Sequence, residues 1–151
     1  MSFNALTDKA SALILPGDGW WPDLEVGVFQ RTYRLPAEYA EQMVLDHLGV
    51  ARLWAVRQLV AWRATREAEG HTSLDTVPVD GLPGEATRLF RRAVFCHAKA
   101  LLLGQFATVE RREAARVDAK EGPELADRFF AWAHDAIADL TGRGRIVAAL
   151  V

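Results

Sequence analysis

Apolar residues recur at three- and four-residue steps through most of this chain, the spacing that gathers them on one face of a helix. The longest such run holds Tyr39, Met43, Val44, Leu48, Ala51, Leu53, Trp54, Leu59, Val60 and Trp62 and predicts a single helix over 37–69. Gly49 is its expected bend, and Gly70 its expected stop, because glycine readily takes the left-handed conformation that closes a helix. A shorter helix is predicted over 24–33, with Asp23 as its N-cap and Leu24, Val28 and Phe29 facing inward. A third, over 84–106, carries Leu89, Phe90, Ala93, Val94, Phe95, Cys96, Leu101, Leu102 and Leu103. It is apolar around more than half its circumference, as expected of the most buried member of a small bundle. The last helix, over 123–141, places Leu125, Phe129, Trp132, Ala133, Ala136, Ile137 and Leu140 on one stripe and ends at Gly142 and Gly144.

Breakers fit this scheme. Prolines fall at 16, 22, 36, 78, 83 and 123, leaving 37–77 and 84–122 free for long helices. Val77-Pro78 and Asp80-Gly81 mark a connection over 71–83. Residues 108–122 mix charges of both signs and read as a solvated helix or a loop. Pro16-Gly17-Asp18-Gly19 is a turn signal inside a stretch with no periodicity. The expected fold is therefore all-α: a small, mostly antiparallel four-helix bundle over 23–144, with an extended arm over 1–22 and an apolar tail over 145–151.

Composition narrows the class. Half of the 151 residues are hydrophobic and a quarter are charged, the balance of a folded domain with one core. The net charge of −2 argues against a protein built to grip nucleic acid or anionic membrane. Cys96 is the single cysteine, so no internal disulfide forms and a reducing compartment is expected. No apolar run reaches the roughly 20 residues that span a bilayer. The first nine residues also lack the basic-then-apolar pattern of a secretory leader, so none is expected.

Catalytic chemistry finds little support. His47, His71, His97 and His134 stand at no metal-ligand spacing, and each reads as a surface or satisfied core histidine. Cys96 lies in an apolar run and reads as a small core hydrophobe. Gly142-Arg143-Gly144 has neither the strand before it nor the helix after it that a phosphate loop needs. Residues 71–122 carry eight basic residues against seven acids, a solvated face more than a DNA track. No enzyme activity, cofactor or metal is expected.

Two features stand outside the bundle pattern. Trp20-Trp21 lies in the non-periodic arm, and Ile146–Val151 is apolar beyond the last helix. Each either folds back on the bundle or anchors a neighbouring chain. On the second reading Trp20, Trp21 and Phe29 are candidates for contact with a neighbouring subunit.

With these elements in place the sequence resembles the L-type head-completion proteins of tailed bacteriophages. The likeness begins at Trp20-Trp21-Pro22-Asp23-Leu24 and continues at Trp62-Arg63, Ala68 and Gly70-x-Thr72-x-Leu74-x-x-Val77-Pro78. It resumes at Gly84-Glu85 and Arg92-Ala93-Val94 and closes on Arg145 and the apolar tail. Over 108–123 the likeness is poor. The resemblance implies a virion structural protein, assembled in the bacterial cytoplasm, that forms a ring, dodecameric in such adaptors, under the portal. The ring would extend the DNA channel, help to retain the genome and dock a neck or tail-terminator protein. Its partners would be copies of itself, the portal, that neck protein and, non-specifically, the double-stranded DNA passing through. The tail residues Arg145, Ile146, Val147, Leu150 and Val151 would meet the portal. A cytosolic helical adaptor or regulator using the same arm on one partner is the alternative.

Overall fold

The computed structural model describes residues 10–113 and 121–143, with the backbone alone at 108–113 and 121–124. Among them the protein is mostly helical, with five helices and one short antiparallel ribbon. The ribbon joins β1 (Ile14–Leu15) to β2 (Leu24–Glu25), with Ile14 opposite Glu25 and Leu15 opposite Leu24. Two-residue strands leave no alternation to read, so periodicity could not announce them. Helix α1 (Val26–Thr32) follows directly, and its first amide donates to the Leu13 carbonyl at 3.1 Å, carrying the pairing into the helix. Asp23 is therefore not an N-cap. Its carboxylate instead accepts from the Gly17 amide at 2.7 Å and closes the loop between the strands.

The predicted 37–69 helix is two helices, α2 (Glu41–Gln58) and α3 (Val60–Ala68). The break falls at Leu59, not at Gly49, which lies inside an unbroken α2. Leu59 leaves the helical region (φ −109°, ψ 6°) and donates its amide to the Val56 carbonyl at 3.1 Å, one tightened turn. No glycine or proline forces this; the fully buried Leu59 side chain and the contacts α3 makes with the arm outweigh local propensity. Gly70 closes the segment at φ +99°, as expected.

A 3-10 turn (Leu74–Thr76) and a tight turn, whose residues Asp80 and Gly81 are at positive φ, lead into α4 (Glu85–Glu113). Helix α4 runs past the predicted end at 106 and takes in part of the charged segment. Helix α5 (Glu121–Thr141) begins two residues early, with Pro123 in its first turn, where a missing amide costs little. Gly142 ends it at φ +69°.

Helix α4 is the axis of the fold. Tyr39 stacks on Phe106 at 4.2 Å, and Trp54 of α2 on His97 at 4.2 Å, so α2 runs antiparallel to α4. Phe130 meets His97 at 5.1 Å and Arg92 covers Trp132 at 5.9 Å, which sets α5 antiparallel on another side. Phe29 and Phe90 are the largest fully buried side chains, and Phe29 stacks on Phe95 at 5.0 Å. The expected four-helix bundle thus resolves into three long helices, with α1 packed against the middle of α4 through Phe29 and Tyr33 and α3 set toward the end where α4 begins. Leu125 and Trp132, predicted on the inner stripe of α5, sit at its edge and are exposed.

Candidate assembly surface

The arm folds back onto the bundle and is held there by one arginine. Asp18 receives the amides of Trp20 at 3.0 Å and Trp21 at 2.7 Å, which turns the chain so that both rings point inward. Trp21 stacks on Phe90 of α4 at 4.7 Å, and Trp20 meets Trp62 of α3 edge-on at 6.0 Å. Arg63 lies over both indoles, 4.9 Å from Trp20 and 5.6 Å from Trp21, and pairs with Asp18 at 3.0 Å and with Glu67. Partial burial raises the Asp18 carboxyl, but the backbone bond from Trp21, the Arg63 side chain and the Trp20 amide outweigh it and leave its pKa lowered. The Trp20 carbonyl accepts from the Leu74 amide at 2.9 Å, tying the arm to the connection as well.

Trp20, Trp21 and Phe29 are 6%, 5% and 0% exposed. Their rings fill the chain's own core, so of the two fates open to the arm in the sequence, folding back is the one taken in the single chain. A subunit contact through the two tryptophans would require the arm to leave its seat, and one through Phe29 would require α1 to move. That seat has a weak point, because the indole N–H groups of both tryptophans are buried without an acceptor among the described residues. Arg145, Ile146, Val147, Leu150 and Val151 lie outside the described residues.

The surface that sequence reasoning missed is the outer face of α2 and α3. Val50 and Leu53 are each 50% exposed and Val60 is 62% exposed. The signal was present: Ala51 with Leu53, and Leu59 with Val60, are too close in sequence to share one helix face, so the long apolar run had to serve two faces. Val44, Leu48, Ala51, Ala55 and Leu59 face the core, Val56 is half-buried at its edge, and Leu53 and Val60 turn outward. Beside the arm this face forms two adjoining grooves. One, of about 560 Å³, is lined by Pro16, Trp21, Gly49, Arg52, Leu53 and Val56. The other, of about 370 Å³, is lined by Trp21, Val56, Val60, Arg63, Ala64 and Glu67.

Reactive chemistry is sparse. Cys96 is buried and free, and burial, tempered by a contact with the Tyr33 hydroxyl at 3.5 Å, pushes its thiol up. No group of three His, Cys, Asp or Glu side chains among the described residues could hold a metal ion. No helix among them is long and apolar enough to cross a membrane. His97, between Trp54, Phe130 and His134, is the one strongly displaced histidine among the described residues: burial first, and then the charge of His134, lower its pKa from 6.5 to about 4. The folded chain then holds this imidazole neutral while the unfolded chain protonates it. Stability is therefore expected to fall as pH drops from 6.5 toward 4, and the slope to flatten in His97→Gln. Urea midpoints at pH 7 and pH 5 for both chains check this.

A family model described as phage head completion protein (GPL) matches residues 15–151. A probable head completion/stabilization protein of Haemophilus phage HP1 is 29% identical over 113 residues, covering 74% of this chain and 75% of the relative. No solved structure matches.

Proposed function

This chain belongs to the phage head completion protein family, a family of structural proteins and not of enzymes, and from that premise we propose that it forms a ring beneath the portal vertex. The ring extends the DNA channel, helps to retain the packaged genome and offers a platform for the neck or tail-terminator protein. The observation that carries this reading is the family match across nearly the whole described fold, from β1 through α5.

The physical arrangement suits the role. A ring of identical subunits needs two different patches on each, because a head-to-tail contact closes only when unlike surfaces meet. Leu125 and Trp132 on the outer edge of α5 supply one exposed apolar patch, on a different helix from the arm and its grooves. The net charge of −2 suits a conduit from which DNA must leave, since every neutralised phosphate would add salt-dependent affinity. The portal contact is assigned to Arg145, Ile146, Val147, Leu150 and Val151. A chain ending at Gly144 is expected to keep its helical circular dichroism and lose binding to purified portal. Undiminished binding by that chain would overturn the assignment of the tail.

A further inference from the structure

Two exposed apolar patches of this chain stand on opposite flanks of the bundle. Trp54 of α2 meets His134 of α5 edge-on at 5.1 Å, which marks where these two helices face each other. Trp132 lies two residues before His134, about 160° around α5, so it faces away from α2. On α2 the groove residues Gly49, Arg52, Leu53 and Val56 lie about 100–160° around from Trp54, so the groove faces away from α5. Both helices run antiparallel to α4 and hence parallel to each other, which puts Trp54 and His134 at one height. Counted from that pair at about 1.5 Å per residue, Leu53 and Trp132 stand within about 3 Å of each other in height.

Exposed charges repeat the match. On α2, Asp46 precedes Leu53 and Arg57 follows it on the same face; on α5, Arg128 precedes Trp132 and Asp139 follows it. Counted in the same way, Asp46 lies within about 3 Å of the height of Arg128, and Arg57 of that of Asp139. Acid therefore meets base at both ends of an apolar middle when the α5 flank of one copy faces the α2 flank of the next. Asp139 also acts electrostatically on Arg88 of its own α4, and Arg92 covers one face of the Trp132 ring.

We propose that Trp132 of each subunit packs into the groove at Leu53 of the next, with Arg128 paired to Asp46 and Asp139 to Arg57 of that neighbour. Unlike patches on opposite flanks make a head-to-tail contact, and a closed ring allows rotation between neighbours but no rise. Matched heights meet that condition with the helices standing along the ring axis. The proposal rests on the ring reading above and adds which surfaces close the ring.

Cysteine pairs on assembled protein test the contact. In a Cys96→Ala background, one chain carries Leu53→Cys and another Trp132→Cys. Mixed in equal amounts on purified portal and oxidised, they are expected to give disulfide-linked dimers as the main product, whereas either chain alone gives few. Rings visible on the portal by electron microscopy but without this cross-link would exclude the contact and leave the ring standing. Absence of rings from the unaltered chain would remove the ring reading, and the contact with it. A charge exchange needs no cysteine. Asp46→Arg sets like charges together at Arg128 and is expected to raise the concentration needed for rings about tenfold; adding Arg128→Asp to the same chain should restore it. Asp46 and Arg128 form no ion pair within one chain among the described residues, so rescue reads a contact between chains. Unimpaired assembly by Asp46→Arg, or no rescue, would contradict the pairing.

Discussion

Phe29→Ala is expected to cost about 3–5 kcal/mol of folding stability, a large share of the 5–15 kcal/mol typical of a domain. Phe29 is fully buried, stacks on Phe95 at 5.0 Å and lies 5.6 Å from Tyr33, so its ring joins α1 to the centre of α4. Truncation removes the transfer energy of the ring and leaves a cavity bounded by long helices that cannot collapse into it. A urea titration checks this: the midpoint should fall sharply with the slope unchanged, since the unfolded chain is little altered. A loss below about 1 kcal/mol would mean that α1 is not part of the cooperative core.

Gly17→Ala is the second large effect, and it acts on the arm. A Cβ at Gly17 would sit 2.0 Å from the Trp21 carbonyl oxygen and 2.9 Å from the Pro22 carbonyl carbon, both backbone atoms that cannot move aside alone. The loop must open, withdrawing Trp21 from Phe90 and loosening the Asp18–Arg63 pair. The expected cost is on the order of 3 kcal/mol, with tryptophan emission shifted to the red while α2, α4 and α5 keep their helical signal. Gly49→Ala is the matching control. Nothing lies within 4 Å of a Cβ there, and the residue is inside α2, so alanine is expected to stabilise the chain by about 0.5–1 kcal/mol.

The helical faces were legible because burial imposes a period. Phe90, Val94 and Leu102 were readable as core from their spacing on α4, and Gly70 and Gly142 as stops from the left-handed backbone they adopt. What periodicity could not carry is tertiary. Leu59 breaks a helix that its neighbours would continue, because the arm and α3 settle the matter from outside the local sequence. Asp23, the expected N-cap, and Asp18, in the turn signal, each spend the carboxylate on loop amides. Arg63 gave no signal as a clamp, since its partners lie more than forty positions away at Asp18 and the tryptophans. The family likeness rests on the same turn and packing residues. Trp62-Arg63 and Trp20-Trp21 occupy the arm's seat together, and Leu74 binds the Trp20 carbonyl. Those matches therefore report one folded unit, not a reactive site.

The head-completion reading makes this chain a component added to a vertex. Electron microscopy of the purified chain in excess over purified portal rings puts that to the test. The expected image is a second ring, coaxial with the portal and absent from portal alone. Bare portal rings under the same conditions would contradict the assignment.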